Sequence, residues 1–266
     1  MSKKSTLSKN PLKVTLSALL ALLAVGELHL SISKGDDKMG DIPFLSLPAG
    51  EHEIIRSDGE VLRDFGGTCK GCSGQCEPYC YAKRTEIQYE ACRYNYAKNY
   101  VLAKYAPELF EKEFCEWLNK SNIRYFRIHE AGEFFSYEYL EMICKICAKF
   151  PDIHFYAYTR RYKWLRTAQD AGIIPANFKI NVSARRENAA ALKKYLPEFN
   201  LFIWDGSNLK TSNYGPLEIH HCDAVLFSGH SSGITCIECK RCITGHCDTA
   251  VFDHSSKSKK RVKHNI

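Results

Sequence analysis

The sequence contains no apolar run long enough to cross a lipid bilayer. Its most apolar stretch, VTLSALLALLAV at residues 14–25, follows a basic start but is too short to span a membrane. The residues after it, GELHLSISKGDD, lack the small-x-small pattern of a signal-peptide cleavage site. Asn10-Pro11 resembles a helix start. We therefore predict a buried N-terminal helix and then a strand in ELHLSIS, together residues 1–33, with no membrane contact; export is the alternative.

Acidic residues are missing from both ends of the chain. The first thirteen residues and the last ten contain lysine and arginine but no aspartate or glutamate. The whole chain has a formal charge of +7. The two ends together carry more positive charge than this, so the rest of the chain has a small net negative charge. We predict that they are solvated, with residues 251–266 as a basic flexible tail. Contact with nucleic acid through the tails is a weaker alternative, because no continuous basic face is apparent.

A G-x-G-x-x-G turn is absent as well, and this argues against a dinucleotide-binding fold. Apolar, β-favouring runs instead begin near residues 123, 153, 178, 201 and 223, with helices or loops between them. A long helical region over residues 86–120 is interrupted near Pro107. Alternation of strands and helices is typical of right-handed βαβ units and a parallel sheet. We predict an α/β fold, a full or partial TIM-type (βα) barrel with parallel strands, over residues 34–234.

The ends of these strands carry the candidate site residues. HEAGEF, TRRYKW, SARRE and DGSN follow predicted strands and are rich in charged or amide side chains. In a parallel barrel, sites form where the carboxyl ends of the strands meet their loops. Arg160 and Arg161 are suited to bind a carboxylate or phosphate, although one of them is expected to be merely solvated. Weaker candidates, chosen on position alone, are Asn181, Ser183 and Asp205.

Cysteine, in contrast, is plentiful, with thirteen residues. Four lie in the loop at residues 66–84, namely Cys69, Cys72, Cys76 and Cys80. Residues 235–250 form a second cysteine-rich segment with Cys236, Cys239, Cys242 and Cys247, and Cys222 lies just upstream. An odd count without export argues against a disulfide framework.

Ligand spacing favours iron–sulfur over zinc but leaves both open. Zinc sites usually combine paired C-x2-C knuckles, whereas Cys236, Cys239 and Cys242 recur every three residues, as in the C-x2-C-x2-C run of ferredoxins. Thiolates bind both metals, so ligand type alone does not choose between them. The pair Cys144 and Cys147 lies at helical spacing among apolar residues. We predict that this pair packs in the core, and the same holds for the isolated Cys92 and Cys115.

Several segments together resemble the phage "gene product 88" domain family. They are KMGDIPFLSLPAG, TCKGCSGQCEPYCYAKR, FRIHEAGEFFSYEYL, FYAYTRR and TCIECKRC, which span about Lys34 to Cys242. The family resembles radical S-adenosylmethionine (SAM) enzymes, which have a partial TIM barrel. The resemblance implies Cys69, Cys76 and Cys80 as ligands of one [4Fe–4S] cluster. It implies a second cluster on Cys236, Cys239 and Cys242, with Cys222 as fourth ligand and Cys72 and Cys247 as extra candidates.

The resemblance also implies a function. A radical SAM protein reductively cleaves SAM at a [4Fe–4S] cluster to begin radical chemistry, here on an unknown substrate with unknown catalytic residues. The SAM site would be formed by His129, Glu130, Gly132 and Glu133, with Arg160 nearby, although His129 is equally suited to an ordinary structural role. The electron donor would be a flavodoxin or ferredoxin, and the location the cytoplasm of a bacterial host.

One departure weakens this expectation. The usual radical SAM loop is C-x3-C-x2-C, and no cysteine triplet here reproduces it; Cys72, Cys76 and Cys80 give C-x3-C-x3-C. The alternative function is a zinc-stabilised or cluster-stabilised binding protein without catalysis, which contacts nucleic acid through its basic tails.

Overall fold

A seven-stranded parallel sheet organises the chain. The computed structural model describes residues 13–71, 76–205, 217–223, 232–245 and 247–252. The sheet has the order β1-β4-β5-β6-β7-β9-β8, and every pair of neighbours is parallel. Its strands are β1 (Phe44–Leu45), β4 (Tyr125–Ile128), β5 (His154–Thr159), β6 (Phe178–Arg185), β7 (Leu201–Asp205), β8 (Ile219–His221) and β9 (Asp248–Phe252). A separate antiparallel hairpin pairs β2 (Ile54–Ile55) with β3 (Val61–Arg63).

Eight α-helices occur within the described residues. They are α1 (Leu16–Ala24), α2 (Tyr81–Gln88), α3 (Glu90–Tyr105), α4 (Pro107–Lys120), α5 (Tyr137–Ala148), α6 (Tyr162–Asp170), α7 (Ala189–Tyr195) and α8 (Cys236–Cys239). Local signals explain several boundaries. Ser136 caps α5 by accepting from the backbone N–H of Tyr139, and Pro107 opens α4 where its missing N–H costs nothing. The predicted interruption near Pro107 is therefore confirmed.

One face of the sheet is covered by helices. Side chains from α1 and from α3 to α7 share a single hydrophobic core with alternate strand residues such as Phe126, Ile128 and Val182. Cys144 and Cys147 lie in this core, as their helical spacing predicts. Burial raises the pKa of Cys144 to about 12, so this thiol stays protonated. Helices on one face of a sheet whose first five strands follow in chain order are typical of a singly wound (βα) arrangement.

The opposite face, which we call the polar face, carries Arg127, Tyr156, Tyr158, Lys179 and Asn181. In the sheet register Arg127 pairs with Tyr156, Tyr156 with Lys179, and Tyr158 with Asn181. Because side chains alternate along a strand, these residues point away from the helix-covered core.

The polar face is partly covered by a small cluster of buried residues. Met39, Ile42, Phe44, Tyr156 and Ile243 form it, and Ile243 brings the second cysteine segment against the sheet. Branched apolar side chains fill the interior of a closed TIM barrel. The polar face differs from such an interior because it carries charged and aromatic side chains. Within the described residues β1 and β8 are the edges of the sheet and no closed barrel is seen. The predicted α/β fold with parallel strands is confirmed at this coarser level.

Several sequence predictions need correction. The segment ELHLSIS forms no continuous strand. Leu30 N–H donates to the side chain of Glu113 and Ser31 N–H to that of Asn99, and the contact with a neighbouring strand is an isolated antiparallel bridge between Ser33 and Phe44 of β1. The N-terminal helix exists, but it begins at Leu16 and only Leu19 is fully buried.

Four strands escaped prediction, namely β2, β3, β8 and β9, and one predicted strand is not described. No clear sequence signal marks β8, which precedes the second cysteine segment, or β9, which begins directly after Cys247. The predicted strand DAVLFSG lies, except for Asp223, outside the described residues, as do most of both basic tails. No helix in the part of the chain that the structure describes is long and apolar enough to cross a membrane.

Candidate metal and cofactor site

The loop after β4 contains four of the predicted cofactor-binding residues. Its first residue, His129, has a positive φ of 61° and is buried. Its Nε2 lies 3.0 Å from the Tyr139 hydroxyl, and its ring also contacts Phe134. Burial, together with the nearby charge of Arg127, lowers the pKa of His129 to about 3, so the ring is neutral. These contacts are with the helix-covered core.

Glu133 joins the ends of two strands. One carboxylate oxygen accepts from the Phe134 N–H at 2.9 Å and the Thr159 hydroxyl at 2.8 Å. The other accepts from the Arg160 N–H at 2.8 Å. Burial raises the pKa of Glu133, and these hydrogen bonds oppose the rise. Since the carboxylate already accepts three hydrogen bonds from the chain, its observed contacts are structural.

Gly132 permits a close contact within the chain. Its φ is +87°, and a Cβ built on it would lie 2.7 Å from the Leu47 carbonyl oxygen. The two loops are held together there by the Leu47 N–H, which donates to the Ala131 carbonyl at 2.9 Å. The glycine is thus required by the approach of residue 47, whatever else binds nearby.

Glu130 differs from its neighbours in the same loop. It is half-buried, and among the described residues its carboxylate accepts a long hydrogen bond from Tyr96, at 3.5 Å, and also interacts with the Tyr81 hydroxyl. Tyr81, which directly follows Cys80, donates to the Glu130 backbone carbonyl at 2.5 Å. Burial raises the pKa of Glu130, while the charge of Arg127 lowers it. Of the two predicted carboxylates, Glu130 therefore has more capacity left to accept hydrogen bonds from a ligand.

The two arginines after β5 have different roles. Arg161 donates through Nε to the Phe134 carbonyl and through Nη1 and Nη2 to the carbonyls of Lys70 and Thr68, at 2.8–2.9 Å. It therefore clamps the first cysteine loop onto the strand ends. Arg160 is half-buried, and the structure gives its guanidinium no contact of this kind among the described residues. Arg160 is the arginine better placed to meet an anionic ligand.

The first cysteine group lies on the loop that Arg161 clamps. Cys69 N–H donates to the Gly50 carbonyl, Cys76 precedes a 3₁₀ turn at Glu77–Tyr79, and the Cys80 sulfur accepts from the Lys83 N–H at 3.4 Å. Thr68 fixes this loop to the strand ends, since its hydroxyl accepts from the Glu133 N–H at 2.9 Å. Cys72 lies outside the described residues. The loop thus lies at the carboxyl edge of the sheet, beside Glu130.

The second group lies on the polar face. A reciprocal capping box between Thr235 and Glu238 starts α8, and the Cys236 N–H donates to the Lys38 carbonyl at 2.8 Å. Asn181 donates to the Cys242 carbonyl at 2.9 Å. Burial raises the pKa of Cys242 to about 12.

Electrostatic coupling shows which thiols neighbour Cys242. The charges of Cys222, Cys236 and Cys239 each contribute to the rise in its pKa. Each of these three thiols therefore lies within electrostatic range of Cys242, although Cys222 is distant in sequence and follows β8.

Cys247 has a different environment. It accepts from Arg241 Nη1 at 3.7 Å, and the Arg241 guanidinium also forms an ion pair with Asp223 at 2.8 Å. Cys239 also donates to Asp223, at 3.3 Å. Arg241 and Asp223 thus link Cys247 to the edge of the second group.

Among the described residues, neither cysteine group forms a complete metal-binding site. Among the described residues, no three His, Cys, Asp or Glu side chains converge closely enough to hold one metal ion. The donor chemistry nevertheless fits a soft metal, because each group supplies thiols that share one stretch of chain. Ligand thiols must also lose their protons when a metal binds, so assembly of the site is coupled to metal uptake.

Sequence patterns did not single out Arg127 and Tyr156 on the polar face. Both lie inside predicted strands, in YFRI and HFYAYT, whereas the predicted site residues follow the strands. The available signal was alternation: Arg127 stands between the apolar Phe126 and Ile128, as expected of a residue facing the opposite side.

The weaker candidates have mixed outcomes. Asn181 is on the polar face, where it binds the second cysteine segment. The Ser183 carbonyl accepts from the Tyr162 hydroxyl at 2.7 Å. The side chain of Asp205 lies outside the described residues.

Comparison with known protein families gives one match. The family described as Gene product 88 matches residues 23–245, a range that contains the loop after β4 and the seven cysteines expected to be principal ligands. The match ends before Cys247. Comparison with curated proteins and with solved structures gave no match. Because the family match covers most of the chain, this protein belongs to the gene product 88 family.

Proposed function

We propose that this protein is an iron–sulfur protein of radical SAM type, with a partial (βα) barrel and two thiolate metal sites. The single observation that carries the proposal is the attachment of the first cysteine loop to the carboxyl edge of the parallel sheet. Thr68 and Arg161 hold this loop against the strand ends, and Tyr81 connects it to the backbone of Glu130. Sites in parallel (βα) folds form at this edge.

The roles proposed for the first site rest on the family resemblance, and the position of the loop supports them. Cys69, Cys76 and Cys80 would hold a [4Fe–4S] cluster through their thiolates. When bound, the cluster supplies one electron for the reductive cleavage of SAM. Glu130, next to the loop and with spare acceptor capacity, accepts hydrogen bonds from the SAM ammonium group. Arg160 faces an anionic group of SAM or of the substrate.

Cys236, Cys239 and Cys242, with Cys222, form the second site. The electrostatic influence of the other three thiols on Cys242 supports this set. Cys247, which accepts from Arg241, is an extra candidate. Tetrathiolate sites hold either an iron–sulfur cluster or zinc, and elemental analysis of the purified protein distinguishes the two metals.

Metal content is the first test. Protein purified without oxygen should be brown and contain iron and acid-labile sulfide. Cys76→Ala should lower the iron content, whereas Cys144→Ala should not, because Cys144 lies in the helix-covered core. Colourless protein that binds only zinc would refute the proposal.

SAM cleavage is the second test. Protein with reconstituted clusters, reduced by dithionite or by a flavodoxin or ferredoxin system, should convert SAM to 5′-deoxyadenosine and methionine. Cys76→Ala should abolish the products, and Cys115→Ala should retain them. Intact clusters without any SAM binding or turnover would contradict the enzymatic part of the proposal and leave its cluster part standing.

A second candidate function is a binding protein in which a metal only stabilises the fold. The observation that favours it is the packing of the second cysteine segment through Ile243 and Ile237 against Met39 and Phe44. A metal there would fasten residues 235–245 to the sheet. On this proposal nucleic acid contacts the basic tails, and binding should weaken steeply with salt.

A further inference from the structure

Arg127 lies on the polar face, on β4, and makes no ion pair with an acid among the described residues. Arg127 Nη1 donates to the sulfur of Met39 at 3.4 Å, and the guanidinium stacks over the Tyr158 ring at 5.0 Å. Among the described residues its Nε has no hydrogen-bond partner. A thioether sulfur is a weak acceptor, so most of the hydrogen-bonding capacity of this guanidinium is unused.

A buried phenol beside Arg127 also lacks a partner. Tyr156 is Arg127's neighbour in the sheet register and is only 1% exposed. Its hydroxyl has no hydrogen-bond partner within the described part of the chain. Buried tyrosine hydroxyls usually find a partner, so this one calls for an explanation.

Glu130 does not satisfy either group. Its charge is close enough to influence Arg127, but its carboxylate takes its hydrogen bonds from other described side chains, Tyr96 and Tyr81. The Arg127 guanidinium and the Tyr156 hydroxyl are both hydrogen-bond donors, and the guanidinium carries a positive charge. Such a pair complements an oxyanion, because a guanidinium binds carboxylates and phosphates in a planar, two-pronged manner.

We propose that Arg127 and Tyr156 bind the carboxylate or phosphate group of a small ligand on the polar face. The two side chains arise within strands and not from the loop after β4, although the charge of Arg127 reaches Glu130 in that loop. The proposed site does not depend on iron–sulfur chemistry, since neither residue is a metal ligand.

Binding of two simple anions tests the proposal. Equilibrium dialysis of the full-length protein with radiolabelled phosphate or acetate, at constant ionic strength in chloride, should show saturable binding of at least one anion. Phosphate alone would identify a phosphorylated ligand, and acetate alone a carboxylate. Arg127→Gln should weaken binding at least about tenfold, because hydrogen bonds to charged groups are the strong ones. Arg124→Gln, the same change at an exposed position before β4, should leave the affinity unchanged.

Tyr156→Phe separates a binding role from a structural one. It removes only the hydroxyl, so the urea midpoint should stay the same or rise, while anion affinity falls several-fold. This variant also decides the matter if Arg127→Gln fails to fold. Absence of saturable anion binding to the wild-type protein, or binding that survives in both variants, would overturn the proposal.

Discussion

At the scale of single residues, Gly132 marks a close crossing of two loops in the candidate site. A Cβ there would overlap the Leu47 backbone and also face an unfavourable positive φ. Backbone cannot move aside as the end of a flexible side chain can. We expect Gly132→Ala to lower the free energy of unfolding by roughly 3 kcal/mol or more, measured by urea titration.

Gly172 provides the matched control for this change. It also has a positive φ, of 65°, but a Cβ there would meet nothing within 4 Å. Gly172→Ala should therefore cost only the conformational penalty, about 1 kcal/mol. Equal losses in the two variants would show that the contact with Leu47 is unimportant.

Glu86 is a buried acid beneath the first cysteine loop. Its carboxylate accepts from the Ala49 N–H at 2.7 Å and from Arg63 Nε at 3.2 Å, and the side chains of Arg63 and Glu86 are both fully buried. Burial raises the pKa of Glu86 from 4.5 to about 7, although the charge of Arg63 opposes the rise. The native state therefore binds a proton more tightly than the unfolded state does.

This raised pKa predicts the sign of a pH effect on stability. Between about pH 4.5 and 7 the folded protein holds more protons on Glu86, so the free energy of unfolding falls as pH rises through this window. Each tenfold difference in proton affinity between the folded and unfolded states corresponds to about 1.4 kcal/mol. Glu86→Gln cannot ionise and should lack this component in urea unfolding at pH 5 and 8. Identical pH profiles for the two proteins would contradict the assignment.

At the scale of elements, Arg161 is one of the side chains that attach the first cysteine loop to the sheet, together with Thr68 and Tyr81. Arg161 donates to the backbone carbonyls of Thr68, Lys70 and Phe134, and it stacks on Trp164 at 5.1 Å. A lysine keeps the charge but cannot reach three acceptors in this forked geometry. The clamp should therefore depend on the guanidinium itself.

Hydrogen exchange can measure this clamp. Arg161→Lys should speed amide exchange at residues 66–71 by about tenfold, since it removes hydrogen bonds that hold the loop closed. Arg160→Lys should leave exchange there unchanged, because the Arg160 guanidinium makes no contact with the loop among the described residues. Equal exchange in both variants would mean that other contacts fix the loop.

At the scale of the whole molecule, the two cysteine groups occupy different parts of the sheet. The first contacts the loops at the carboxyl ends of β4 and β5. The second reaches the polar face from the amino ends of the strands, where Lys240 lies over Tyr125 and Asn200 binds the Gly245 carbonyl. Sites supported by different elements should lose their metals independently.

Metal stoichiometry in two variants tests this independence. Cys242→Ala should remove the metal of the second site and retain that of the first, and Cys76→Ala should do the reverse. Loss of the second metal should also lower the melting temperature more, because residues 235–245 pack against the sheet core. Loss of all metal in either variant would indicate a single shared site.

Sequence patterns were sufficient for the outline of the fold. Alternating runs located β4 to β7, Pro107 marked the start of α4, and helical spacing assigned Cys144 and Cys147 to the core. They failed at ELHLSIS, where apolar residues alternate as in a strand but backbone N–H groups donate to the side chains of Asn99 and Glu113. Such partners, distant in the sequence, are invisible to local periodicity.

The sequence by itself determined the parallel α/β class, the family and the existence of two thiol groups, because these depend on local pattern and composition. Only the tertiary structure decided which residues of the loop after β4 keep capacity for a ligand. There Glu133 and Gly132 are committed to strand-end contacts, and Arg161 to the cysteine loop, while Glu130 and Arg160 are less engaged. Only the tertiary structure decided, too, that Arg127 and Tyr156 have donor groups without partners among the described residues. Whether a donor finds a partner depends on which groups the packed sheet brings near it. Hydrogen-bond satisfaction is a property of three-dimensional neighbours, and a linear pattern does not contain it.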